Sequence, residues 1–206
     1  MRQILSVLAL SLGTAGFVSA QTVQIQPGVG VFAPLMPLVE VDDGFHADVE
    51  LDAAPAVGLA VDVVVHPLAS VYGGINAAFT RMNHGDALEL RDVDSPASSR
   101  VNVLFPSAGV LVTPRIGASP IQPRIRLGGG VKVYDFDLFD VKEMVVEPAA
   151  DLGLGVIAGE GPVSFTAEAR WALSRFDPRT LPIRLIAAED QTQNDWLFQL
   201  GFAVRP

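Results

Sequence analysis

Glu168 and Arg170 stand two residues apart in the segment VSFTAEARWALSRF, whose alternate positions are Val163, Phe165, Ala167, Ala169, Trp171 and Leu173. In an extended chain alternate side chains share a face, so the acid and the base project together, away from an apolar face. The same sorting recurs elsewhere. It sets Arg124, Arg126 and Lys132 against Ile125, Leu127, Val131 and Val133, and Glu147 and Asp151 against Leu152, Leu154 and Val156. It also sets Asp62 against Val57, Leu59, Val61, Val63 and Val65, and Asp195 against Trp196, Phe198, Leu200, Phe202 and Val204. Asp62, Arg124, Arg126, Lys132, Glu147, Asp151, Glu168, Arg170 and Asp195 are therefore the candidate site. Enclosed in a narrow interior, charges of both signs must pair, because an unpaired buried ion costs several kcal/mol. Two readings are open to them: a structural set of ion pairs that fills the interior, or a narrow gated ion path.

Catalytic constellations are sparse. The histidines are His46, His66 and His84, and none lies in a His-x-Ser pattern or beside a serine in a glycine elbow. Acyl-transfer chemistry is not expected. Separated histidines without cysteine do not make a zinc site either. Carboxylates crowd three segments: Glu40, Asp42, Asp43, Asp48, Glu50 and Asp52; Asp86, Glu89, Asp92 and Asp94; Asp135, Asp137, Asp140 and Glu143. Their oxygens could hold Ca²⁺ or Mg²⁺, but no segment follows the spaced calcium-loop pattern, so solvated, self-repelling loops are expected. The glycines at 128 to 130 precede no Lys-Ser/Thr and no helix, so they are not a phosphate loop; they relieve crowding in a strand or bend it. No enzyme activity, cofactor or metal is expected.

The elements that must position these charges are strands. Eight extended segments are expected at residues 23–33, 55–65, 70–81, 100–113, 124–136, 145–159, 163–176 and 194–204. Short connections such as His66-Pro67-Leu68-Ala69 and Gly159-Glu160-Gly161-Pro162 alternate with long charged ones, and the proline-rich stretch 114–123 reads as a further turn. Strands of about 10–14 residues are longer than the usual five or six of soluble sheets and long enough to cross a bilayer when tilted. His66 falls in a short turn, with His46 and His84 in loops at the opposite end.

Composition narrows the class. Half of the 206 residues are apolar, yet beyond the N-terminus no run suits a transmembrane helix of about 18 or more residues. A net charge of −9 argues against nucleic acid, which needs a basic surface. Residues 1–20 read as a cleaved signal peptide: Met1-Arg2, an apolar run, then Val18-Ser19-Ala20 before Gln21. The mature chain, 21–206, is expected to be one domain. With no cysteine it must hold together without disulfides, which favours a closed hydrogen-bond ladder.

A soluble barrel would turn the apolar face inward; a membrane barrel turns it to lipid and encloses the charges. Periodicity alone leaves both open. Glycines and alanines beside the charges suit the crowded interior of an eight-stranded barrel. Trp171, Trp196, Phe136 and Phe176 near strand ends suit interfacial girdles. Both favour the membrane arrangement.

Three stretches carry a resemblance: PRIRLGGGVKVY at 123–134, LGLGVIAGEGPVSFTAEARW at 152–171 and the terminal NDWLFQLGFAV at 194–204. Together they resemble the small outer-membrane β-barrel family, the broad group of OmpA-barrel, OmpX-like and opacity-like proteins. The resemblance covers essentially the mature chain and rests on alternation more than on fixed residues. It implies an all-β, eight-stranded antiparallel up-and-down transmembrane barrel in the bacterial outer membrane. It also implies that Trp196, Phe198, Leu200 and Phe202 form the terminal strand read by the barrel-insertion machinery. Family members often end on an aromatic residue; here Arg205-Pro206 follow Val204, and Phe202 lies in the right phase. No peptidoglycan-binding domain is expected after the barrel. The implied role is non-enzymatic, structural or interactive, through acidic loops that meet lipopolysaccharide or an unknown extracellular ligand. The alternatives are a narrow ion or small-solute channel and a soluble exported barrel binding an apolar ligand.

Overall fold

The computed structural model describes residues 22–40, 48–83, 100–117, 119–138, 141–159, 161–177 and 191–205. The expected signal peptide, His46, His84 and the carboxylates Asp42, Asp43, Asp86, Glu89, Asp92, Asp94 and Asp140 lie outside these residues.

Nine β-elements follow in order: β1 (Val23–Pro34), β2 (Glu50–Leu51), β3 (Ala54–His66), β4 (Ala69–Asn83), β5 (Arg100–Val112), β6 (Ile121–Leu138), β7 (Val141–Ala158), β8 (Val163–Phe176) and β9 (Gln191–Val204). The two-residue β2 pairs only with β4, through Glu50↔Asn83 and Leu51↔Met82. The other eight form one antiparallel sheet in the order β4-β3-β1-β9-β8-β7-β6-β5, and the β4–β5 pairing closes it. The last strand completes the ring against the first, with Val29↔Leu200 and Val31↔Phe198 in register. Closure leaves no sheet edge, which is how a barrel satisfies its backbone without water or disulfides.

The connections are set by local chemistry. At the β7–β8 turn Gly159 and Gly161 take φ of 114° and 110°, a region that L side chains avoid. At the β3–β4 turn the Leu68 backbone N–H donates at 3.2 Å to Nδ1 of His66, the last residue of β3, which ties that side chain to the turn.

Three expectations change at the strand ends. The stretch 114–123 is not all turn: β6 starts at Ile121, and Gln122 and Pro123 pair with β7. The acidic loop expected after β6 is largely strand, because β6 and β7 each run 18 residues and pair as far as Leu138↔Val141. Asp135, Asp137 and Glu143 are therefore strand residues. Continuous pairing carries them past the apolar belt, with Asp135↔Met144, Phe136↔Glu143 and Asp137↔Lys142 in register. Glu50, expected in a loop, belongs to β2.

The apolar face points outward. Val29, Val31, Val57, Leu59, Ile75, Leu127, Leu154, Phe165, Phe198, Leu200 and Phe202 are all exposed. Trp171 and Trp196 face each other on this surface across β8 and β9, and Trp196 stacks on Phe198 with centroids 5.8 Å apart. Asp62, Arg124, Arg126, Lys132, Asp151, Arg170 and Asp195 are buried inside. A soluble barrel would show the reverse. This is the inverted pattern of a barrel built for lipid.

Phe136 and Phe176 correct the girdle expectation. Both are fully buried, packed with Tyr134 in an edge and stacked cluster whose ring centroids lie 5.3–6.4 Å apart. Their even-numbered positions share the phase of Arg126 and Arg170, so they must point inward. Phe32, Met82, Val101, Val103, Val145 and Leu197 complete an inner cluster, and Leu38, Val39, Val49 and Leu51 from the first loop fold into it.

Candidate functional site

The interior charges resolve into four pairs. Nearest the short turns, Arg124 Nη2 donates to Asp62 Oδ2 at 2.9 Å and Arg124 Nη1 to Gln26 Oε1 at 2.9 Å, while the Gln26 amide also donates to Asp62. One layer up, Arg126 grips Glu168 with two bonds, Nε to Oε1 at 2.7 Å and Nη2 to Oε2 at 3.0 Å. In the same layer Arg170 makes a fork on Asp151, Nε to Oδ1 at 3.1 Å and Nη2 to Oδ2 at 2.6 Å. Higher still, Lys132 Nζ donates to Asp195 Oδ2 at 2.5 Å and to the Ala172 carbonyl at 3.3 Å.

The middle layer is bound into one network. Tyr72 Oη donates to Asp151 Oδ2 at 2.7 Å, and the Arg126 guanidinium lies 4.0 Å from the Tyr72 ring centre, a cation–π contact. Arg170 Nη2 also donates to Ser107 Oγ at 3.0 Å. The glycine run finds its reason here. A Cβ on Gly128 would come within 2.1 Å of Tyr72 Oη, so only glycine lets that ring cross the lumen.

Eight of the nine expected residues thus sit in these pairs. Glu147 is not a member of these four pairs: it is half-buried, and although it lies opposite Lys132 in register, the Lys132 ammonium turns to Asp195. Sequence reasoning missed the uncharged partners. Gln26, Tyr72 and Ser107 share the inward phase of their strands, which was the available signal. It also missed a hydrogen bond across the lumen, Gln199 Nε2 to Asn76 Oδ1 at 2.7 Å.

Each buried cation thus has one buried carboxylate, and the bidentate forks leave few donors unspent. Desolvation offsets most of the attraction within such pairs, whereas removing one partner leaves a costly uncompensated charge. Two lumen voids, of about 20 and 30 Å³, each have room for about one or two waters. Among the described residues no group of histidine and carboxylate ligands gathers for a metal.

A closed antiparallel barrel of eight strands, apolar outside and ion-paired inside, defines a class of membrane-spanning barrel. The solved structures place that class more narrowly. Neisserial surface protein A matches over 91% of this chain and 98% of its own, with a TM-score of 0.56 and 10% identity. The outer membrane protein OprG from Pseudomonas aeruginosa matches over 91% and 96%, with a TM-score of 0.54 and 14% identity. The chain therefore has the fold of the small outer-membrane eight-stranded barrels, the group that its sequence resembles. No family model and no curated protein sequence matches it.

Proposed function

We propose that this chain is a non-enzymatic outer-membrane barrel that acts as a structural and interaction element, working through its acidic loop end. The observation that carries the reading is the division of labour in the wall: the lumen is filled by four ion pairs and an apolar cluster, while further carboxylates lie exposed at the loop end. Among the described residues of the loop end, the exposed Glu40, Asp48, Glu50, Asp52, Asp135 and Glu143 outnumber the exposed Arg81, Arg100, Lys142 and Arg175. An acidic rim steers basic partners toward it and repels acidic ones. His66 is engaged in its turn, which supports the non-enzymatic reading.

In this account the membrane lipid, the acyl chains of lipopolysaccharide included, contacts the apolar belt. The insertion machinery reads the terminal strand through outward Trp196, Phe198, Leu200 and Phe202. The extracellular ligand is basic.

Replacing Glu50 and Glu143 by glutamine and Asp52 and Asp135 by asparagine should weaken binding of the detergent-solubilised barrel to immobilised oligo-lysine. Wild-type binding should fall as salt rises, the mark of exposed charge. Equal binding by a neutralised variant that still folds would remove the acidic rim from the mechanism.

A further inference from the structure

The apolar belt ends abruptly on β4 to β7. Ala77, Leu104, Val133 and Val146 form one outward row across these four strands, each opposite the next in register. Two residues nearer the loops the row reads Phe79, Asn102, Asp135 and Met144. Two residues further it reads Arg81, Arg100, Asp137 and Lys142. The outer surface thus passes from wholly apolar to wholly charged within three rows. In a membrane barrel that is where acyl chains give way to headgroups.

The cations of this corner are arranged against their own repulsion. Although the rim as a whole is acidic, three of the four exposed cations named above stand in this last row. Arg81 and Arg100 lie directly opposite one another, and like charges facing across a strand pair destabilise a sheet. Among the described residues neither arginine is in an ion pair. Asp52 flanks Arg81 through a backbone bond, its N–H donating to the Arg81 carbonyl at 2.9 Å. On the other side the carboxylates of Asp137 and Asp135 project from β6. Lys142 approaches Asp137 only to 4.0 Å, and Asn102 Nδ2 donates to Asp135 Oδ2 at 3.2 Å, which positions that exposed carboxylate.

We propose that this corner binds an amphiphile whose headgroup joins a phosphate to a primary ammonium, a phosphoethanolamine lipid. The phosphate lies between Arg81 and Arg100 and removes their repulsion, since each guanidinium presents paired donors to phosphate oxygens. The ammonium, a two-carbon link away, reaches Asp135 on the next strand, about 4.8 Å from β5. Phe79, 57% exposed, and the apolar row beneath it receive the acyl chains. A headgroup with a phosphate and no ammonium would set its charge beside two carboxylates without compensation, so the pattern selects the zwitterion. The site needs the arginines, which the basic ligand proposed above does not, and the two readings therefore fail separately.

Titration calorimetry of the full chain in a nonionic detergent tests the site, with dihexanoyl phosphatidylethanolamine and dihexanoyl phosphatidylglycerol as the probes. Wild type should bind the first more tightly by about fivefold, the worth of one exposed ion pair. Arg100→Gln should weaken both lipids by about fivefold and leave oligo-lysine binding no weaker. Asp135→Asn should weaken phosphatidylethanolamine alone and bring the two lipids level. Arg115→Gln, exposed in the β5–β6 connection at the opposite end of the barrel, should change neither. Heat-dependent gel mobility identifies the variants that fold, and only these are scored. Equal wild-type affinity for the two lipids would overturn the proposal, as would undiminished phosphatidylethanolamine binding by folded Arg100→Gln or Asp135→Asn. So would an equal loss in Arg115→Gln, since that reduces the effect to net charge.

Discussion

Asp151→Ala should destabilise the folded barrel by about 3–5 kcal/mol, the cost of breaking one member out of a buried ion pair. Asp151 is fully buried and accepts from Arg170 twice and from Tyr72 once. Its loss leaves the Arg170 guanidinium inside the barrel with Ser107 as its remaining hydrogen-bond partner, and leaves the Tyr72 hydroxyl without its acceptor. The Arg126 contact with the Tyr72 ring then loosens too, so the fault spreads to the Arg126–Glu168 pair. Removing both partners, Asp151→Ala with Arg170→Ala, should cost less than the sum of the single changes by about 1–3 kcal/mol, because no uncompensated charge remains. Urea unfolding of the barrel in lipid vesicles measures all three. Additive costs would mean that the two residues do not act as a pair.

The outer face makes the second large prediction. Leu200 lies midway along the lipid-facing row from Trp196 to Val204 and is 55% exposed. Leu200→Arg should cost about 2–4 kcal/mol in a bilayer if this row sits near the midplane. On a soluble barrel an exposed leucine could become arginine within about 0.5 kcal/mol. The same urea titration in vesicles decides, and a near-neutral change would place the apolar belt outside lipid.

Strand number and faces were legible in the sequence because a period of two persists over nearly every strand. The inside was harder to read, for a geometrical reason. Alternation names the residues that share a face but not their partners across a closed ring. Glu168 and Arg170 are neighbours on one strand face, yet each pairs with another strand: Glu168 with Arg126 and Arg170 with Asp151. Lys132 has Glu147 beside it in register and instead reaches Asp195, with β7 and β8 lying between their strands. Side-chain length and the space left by glycines decide such choices. At Gly153, for example, a Cβ would meet Arg126, Arg170 and Glu168 together at 3.1–3.2 Å. Phe136 and Phe176 were misread because aromatic character suggested a girdle where strand phase dictated the interior. The long β6–β7 hairpin was hidden by its acids, which mark a loop by composition but continue the ladder in fact.

The central claim is that the apolar face meets lipid and the charges are enclosed. Fractionation of expressing cells, followed by gels of the recovered protein with and without heating, tests it most directly. The account predicts recovery in the outer-membrane fraction and a band whose mobility shifts on boiling, as a closed barrel opens. A soluble periplasmic protein with a single mobility would contradict it and turn the search to an apolar ligand.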